Sequence, residues 1–268
     1  VIARAVILAS AIVLLGCGGA GGSTDSSSSA LRAIGYGPGD SCHLLPSTTV
    51  DELAVAGLRF LVCENIPSVQ ARDWRRGEIP QTFPVEHREW NQRACANGQT
   101  MIVFLLNWNM RPLRDQPDEW FVELLNEALS IYDPVCTWLE PIAEPDEGTP
   151  EQLERARRWT QMAADAWLGR LVIAHAAERW PIRRDFVDRH PATIREAELW
   201  LASGDPRLLV ITDGGEFVPI GDVVDELPRL AALSLESGVP FIGYGDRYAP
   251  GDLEAHREII RAIGGRVP

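Results

Sequence analysis

Basic side chains are scarce in this 268-residue chain: 25 Lys and Arg stand against 38 Asp and Glu, a formal charge of −13. Nucleic-acid binding works by neutralising phosphates, and there is no cationic surplus here to do it. An acidic surface of this kind suits neutral or cationic ligands. Glycine and proline, at 23 and 19, fall well below a collagen-like or low-complexity composition. No Gly-x-Gly-x-x-Gly follows the first strand-like segment, so the main signature of a nucleotide-binding doubly wound sheet is missing. Ser/His/Asp hydrolysis has no Gly-x-Ser-x-Gly anchor. The five cysteines include no Cys-x-x-Cys pair, which argues against structural zinc.

What is present begins with an address. A single charge, Arg4, precedes the apolar run Ala5 to Leu15, and small residues follow. The run is shorter than the roughly 20 residues needed to span a bilayer and has the build of an export signal. Its ending, Leu14-Leu15-Gly16-Cys17, resembles the bacterial lipobox, whose Cys is lipidated and becomes the mature N-terminus. The alternative is an ordinary signal peptide with an incidental Cys. The resemblance implies a signal over 1–16, a lipid anchor on Cys17 and residence in the bacterial cell envelope. Residues 17–30, rich in Gly and Ser, form a flexible tether, and 31–268 form one domain. Loss of Arg4 takes the formal charge from −13 to −14. An oxidising compartment permits disulfides among Cys42, Cys63, Cys95 and Cys136, and all three connectivities stay open.

From Arg32 onward, short apolar runs alternate with amphipathic segments. Ala33–Tyr36, Arg59–Cys63, Thr100–Leu106 and Val135–Ile142 supply four strands. Gly169–His175, Asp185–Asp188, Arg207–Thr212 and Pro240–Tyr244 supply four more, although Gly169–His175 could equally extend the helix before it. Thr49 and Glu52 have the spacing of a capping box. Phe121, Leu124, Leu125, Ala128 and Leu129 mark one helical face, and Leu153, Ala156, Trp159, Ala163 and Trp167 another. Eight strand–helix units in about 230 residues is the arithmetic of a (β/α)8 TIM barrel, with an open doubly wound sheet as the rival. Polar residues gather just after several strands: Glu64-Asn65, Asn107-Trp108-Asn109, Glu144, His190, Asp213 and Asp246. In a barrel these share one rim, where active sites are built.

Three segments carry a resemblance to the cellulase-like retaining glycoside hydrolases. Glu140-Pro-Ile-Ala143-Glu144-Pro145 resembles their strand-four Glu-x-x-Asn-Glu-Pro. Phe186 to Pro191 is similar to the strand-six segment ending in His-Pro, and Leu209 to Gly215 to the strand-seven segment bearing the nucleophile. Trp120 to Tyr132 also resembles the helix that leads into strand four. The resemblance implies a single-domain TIM barrel hydrolysing O-glycosidic bonds of a poly- or oligosaccharide with two carboxyls. Glu144 falls on the acid/base position. Asp213 falls on the nucleophile position, and Glu216 is the alternative if the loop bends back. Glu140 matches an interior, structural Glu. Asn107, Trp108, His190 and Tyr244 are the candidate substrate contacts, and no cofactor is implied.

The chain also departs from that pattern. Asp213 is one methylene shorter than Glu, and Ala143 replaces an Asn that donates to the sugar 2-hydroxyl. Cys63-Glu64-Asn65 stands where Arg is usual, Asn107-Trp108 where His is common, and Ala192 where Tyr is. A non-catalytic barrel lipoprotein binding glycan or a cell-envelope partner is therefore the second expectation. A metal held by His43, His175 or His190 with Glu64 or Asp213 is a minor option. Oligomeric state is not legible.

Overall fold

The computed structural model describes residues 34–37, 46–64, 83–108, 111–212, 220–244 and 261, all within the compact unit Leu31–Pro268. Cys17, Cys42, His43, Asn65, Asp213, Glu216 and Asp246 lie outside the described residues, as does nearly all of the final helix expected after Asp252. The strands are β1 (Ile34–Gly37), β2 (Phe60–Glu64), β3 (Thr100–Phe104), β4 (Thr137–Glu140), β5 (Arg170–Ala174), β6 (Phe186–Arg189), β7 (Leu208–Thr212) and β8 (Phe241–Tyr244). The helices are α1 (Thr49–Val55), α2 (Phe83–Ala96), α3 (Asp118–Ile131), α4 (Pro150–Ala166), α5 (Ile194–Ala202) and α6 (Ile220–Ser237). All neighbouring strands run parallel and β8 pairs with β1, closing the barrel. Among the described residues, no helix is long and apolar enough to cross a membrane.

Alternation along each strand divides the apolar residues into two cores. Phe60, Val62, Ile102, Phe104, Trp138, Val172, Phe186, Leu209, Ile211 and Ile242 point inward and form one cluster. Their neighbours Leu61, Cys63, Met101, Val103, Leu139, Leu171, Ile173, Val210 and Phe241 point outward and join the helices in a larger shell. Aromatic rings fill the end of the barrel where the strands begin. Trp138 stacks on Phe186 at 4.1 Å between centroids and meets Phe60 at 5.1 Å. The Arg170 guanidinium lies over both Trp138 and Phe186. That end is plugged, which leaves the C-terminal rim for a site.

Trp159 of α4 centres the outer shell. It is fully buried, stacks on Phe121 at 4.8 Å, and has Trp108 and Trp120 against its edges. Its indole N–H donates to Asp118 at 2.7 Å, tying α4 to the first turn of α3. A disulfide between Cys95 and Cys136 joins the end of α2 to the approach to β4, settling one of the open pairings. Cys63 is disulfide-bonded as well.

Two expectations are corrected. Thr49 does not cap α1: it lies buried inside the helix, and Thr48 at the N-cap makes no side-chain capping bond. The reciprocal capping box is at Thr149 and Gln152, ahead of α4. The eight strand–helix units are not all complete either. Residues 175–185 link β5 to β6 with only a short 3-10 turn, His175–Ala177. Ala177, Trp180 and Ile182 are buried there, so a loop covers what a helix covers elsewhere. Of the segment Gly169–His175, open to two readings, Arg170–Ala174 forms β5 and His175 begins the 3-10 turn.

Candidate functional site

The rim after β4 is set by backbone before any side chain is considered. Pairing between β3 and β4 continues past the strands through a parallel bridge of Asn107 with Ala143. The Ala143 N–H donates to the Leu106 carbonyl at 2.8 Å, and the Trp108 N–H to the Ala143 carbonyl at 3.1 Å. Glu144 follows at φ 52°, the only non-glycine residue with positive φ among the described residues. A side-chain-bearing residue in the left-handed region is held there against a cost of about 1–3 kcal/mol. Pro145 behind it disfavours the right-handed helical alternative.

The loop beyond is fixed from below. The Trp108 indole N–H donates to the Glu147 carbonyl at 2.7 Å. The largely buried Arg114 donates to the Trp108 carbonyl at 2.7 Å and reaches the Glu147 carboxylate at 3.3 Å. Gly148 adopts φ 133° with Gln152 against it, and the capping box of α4 ends the loop. Glu144 therefore projects from a braced turn.

Its neighbours come from β6. Asp188 lies in β6 and His190 directly after its last residue, two positions on, and both side chains meet on the inward side. The Asp188 Oδ2 lies 2.7 Å from His190 Nε2, and His190 Nδ1 lies 3.7 Å from Glu144 Oε1. Phe104 from β3 places its ring 6.4 Å from the imidazole. The His190 and Glu144 side chains are 23% and 29% exposed, so both reach the open mouth. Beneath them Asp188 and Glu140 are almost wholly enclosed. Burial pushes the Glu140 carboxyl well above the usual carboxylate range, and the charge of Asp188 raises it further. Four groups thus form a line running from solvent into the barrel: Glu144, His190, Asp188 and Glu140.

The expected site residues separate into groups. Glu144 and His190 meet. Asn107 is half-buried at the bridge beside them. Trp108 offers no face to a ligand, because it is fully buried against Trp159 and serves to hold the Glu147 turn. Tyr244 ends β8 next to β1, and nothing is described of its side chain. Asp213 and Glu216, outside the described residues, follow the end of β7, the strand paired with β6. His175 does not converge with His190; it is exposed and contacts Glu178 and Arg189. The one group of three metal-capable ligands among the described residues is Cys95, Asp133 and Cys136, and the disulfide consumes both thiols. Arg114 and Asp188 received no role from the sequence. The signal for Asp188 was its two-residue spacing from His190; Arg114 carries no comparable local signal.

No protein-family model matches the sequence, and no curated protein matches it. Solved structures do. Cel5A of Thermotoga maritima, in a mutant form with cellobiose, superposes with a TM-score of 0.62 at 11% identity, covering 88% of this chain and 97% of that one. A GH5-4 broad specificity endoglucanase from Clostridium longisporum gives 0.58 at 10% identity, covering 88% and 96%. A GH5 xyloglucanase from Bacteroides ovatus, bound to an XXXG heptasaccharide, gives 0.56 at 12% identity, covering 88% and 74%. At such identities the likeness is one of fold: this chain has the barrel of family 5 glycoside hydrolases.

Proposed function

We propose that this chain is a glycoside hydrolase-like barrel acting on the O-glycosidic bonds of a poly- or oligosaccharide, with Glu144 as general acid/base. The observation that carries the proposal is the braced, left-handed Glu144, partly exposed at the open end of the barrel with His190 Nδ1 3.7 Å away. A carboxyl at the C-terminal end of a barrel strand stands where barrel chemistry is performed. It would protonate the leaving oxygen while a second carboxyl acts across the sugar ring. Asp213 is assigned that second role, with Glu216 as its substitute. A gap of about 5–5.5 Å between the two carboxyls gives retention, and about 6.5–9.5 Å gives inversion. The shorter Asp side chain favours the wider arrangement. The carbohydrate ligands of the structural neighbours support the substrate class.

The test is hydrolysis of a panel of cello-, manno- and xyloglucan oligosaccharides by the wild type and by Glu144→Gln, Asp213→Asn and Glu216→Gln. Loss of a general acid costs about 10²–10⁴-fold in rate. Hydrolysis by the wild type that is unchanged in Glu144→Gln overturns the assignment. Ala143 favours a second reading, a glycan-binding barrel without turnover, because its methyl group cannot donate to a sugar 2-hydroxyl. Saturable glycan binding with no hydrolysis would select it.

We also assign the lipid anchor to Cys17 and place the protein in the cell envelope. The Leu14–Cys17 segment supports this, and the Cys95–Cys136 disulfide suits an oxidising compartment. Metabolic labelling with a fatty-acid analogue, lost in Cys17→Ala, is the expected outcome; unlabelled wild type refutes it.

A further inference from the structure

Beneath the proposed acid lie two buried carboxyls, Glu140 and Asp188, to which that chemistry gives no part. They come from alternate strands, β4 and β6, with β5 between, and both point into the barrel interior, where alternate strands share a layer of side chains. Neither Glu140 oxygen receives an N–H or O–H from another described residue; the group it meets is the Asp188 carboxyl. Two bare carboxylates in a dry volume repel, so the contact closes only with a proton between them. Burial favours Glu140 as the group that carries it. The other side of Asp188 meets His190 Nε2 at 2.7 Å.

We propose that Asp188 is a positioning residue. Accepting a hydrogen bond from protonated Glu140 and another from His190 Nε2–H, it fixes the imidazole tautomer and turns Nδ1 toward Glu144. The chain would then carry a device that sets which nitrogen faces the rim carboxyl. In the hydrolytic role proposed for Glu144, on which this part rests, the consequence is a balanced exchange. Once the 3.7 Å gap closes to hydrogen-bond reach, or through one bridging water, the proton on Glu144 Oε1 can pass to Nδ1, giving a carboxylate and an imidazolium held by Asp188, and can return. The titratable groups facing His190 among the described residues are Glu144 of the β4 rim and Asp188 of β6, with Glu140 behind. β3 contributes the Phe104 ring, and position 64 on β2 stands level with Phe104 and Glu140 in the register.

The experiment is long-range proton–nitrogen NMR of the imidazoles in the whole folded chain, with His190 assigned by its loss in His190→Gln. In the wild type, neutral His190 is expected to carry its proton on Nε2. Asp188→Asn presents an amide N–H to Nε2, so the proton is expected to move to Nδ1 and the two nitrogen resonances to exchange character. Glu140→Gln keeps an N–H donor toward Asp188 and is expected to retain the wild-type tautomer. A wild-type His190 protonated on Nδ1, or an unchanged tautomer in Asp188→Asn, overturns the proposal. Should Asp188→Asn fail to fold, the wild-type tautomer decides alone. Activity plays no part in this measurement, so failure of the glycosidase reading and failure of the positioning role remain distinct.

Discussion

Replacing Glu140 with glutamine should leave the barrel's stability unchanged in acid and raise it at neutral pH. Glu140 is fully enclosed, and its carboxyl is pushed upward first by burial and then by the Asp188 charge. In the unfolded chain it titrates near the ordinary value, about 4.3. Above that value the unfolded chain sheds a proton that the fold retains, so more protons are bound in the native state. Stability then falls by about 1.4 kcal/mol per pH unit until the folded value is passed. Its contribution is complete only below the unfolded value. Glutamine resembles the protonated acid in shape and donor and cannot titrate, so it removes the slope. The stability difference should be near zero at about pH 4 and grow by about 1.4 kcal/mol for each unit above, levelling off once the folded value is passed. In a domain of this size each 1 kcal/mol moves Tm by about 2–4 °C. Carboxylates that act oppositely are common to both proteins and cancel in the difference. Asp118 is one: burial raises it, but hydrogen bonds from Arg158 and Trp159 outweigh burial and hold it low. Urea unfolding of both proteins across this pH range is the assay. Parallel pH curves would show Glu140 titrating in the fold as it does in the unfolded chain, and a glutamine variant that loses ground to the wild type as pH rises would show it ionised and paired; either result refutes the reasoning.

Trp159→Ala removes the ring on which Phe121, Trp108 and Trp120 meet and should cost about 3–5 kcal/mol in denaturant unfolding. Trp159→Phe, which keeps a ring but loses the bond to Asp118, should cost about 1 kcal/mol. Opening the Cys95–Cys136 bridge by a double Ser replacement frees a loop with a sequence separation of 41, an entropic loss of about 4 kcal/mol at most, read as a fall in Tm. Gly169→Ala places a methyl carbon 2.5 Å from the Pro134 carbonyl oxygen and 2.8 Å from the Trp167 indole nitrogen, and should cost about 1–3 kcal/mol by thermal melt.

The strands were legible because most are buried on both faces, and so read as short continuous apolar runs: Thr100 to Phe104 is buried throughout, and Leu171 to Ala174 likewise. Their ends were less so. Leu105 and Leu106 continue the apolar run past β3, yet they serve the bridge that carries Glu144 rather than the strand itself. The missing helix between β5 and β6 escaped the sequence because Ala177, Trp180 and Ile182 supply the same kind of apolar cover a helix would. Trp108 misled for a related reason: an aromatic after a strand has the same local appearance whether it faces the mouth or the shell. Its indole turns into the shell because Trp159 and the Glu147 carbonyl are there to receive it.

The site shows a sharper division between what spacing encodes and what closure adds. Glu140 and Glu144 lie on one segment, and Asp188 and His190 on another, so each pair is visible locally. What makes them one system is that β4 and β6 are alternate strands of a closed barrel, with β5 between, so their inward side chains meet in one layer. Closure sets a carboxyl against a carboxyl where pairing with a cation is the common solution, and the proton that resolves the conflict has no counterpart in the residue string. Ala143 fits the same picture. Under the hydrolytic role proposed for Glu144, a methyl at that position offers no donor to a sugar 2-hydroxyl, so proton handling by Glu144 would lean on His190 and the buried pair behind it. Asp188→Asn and Glu144→Gln should then depress hydrolysis together less than the sum of their separate effects, since they act on one proton.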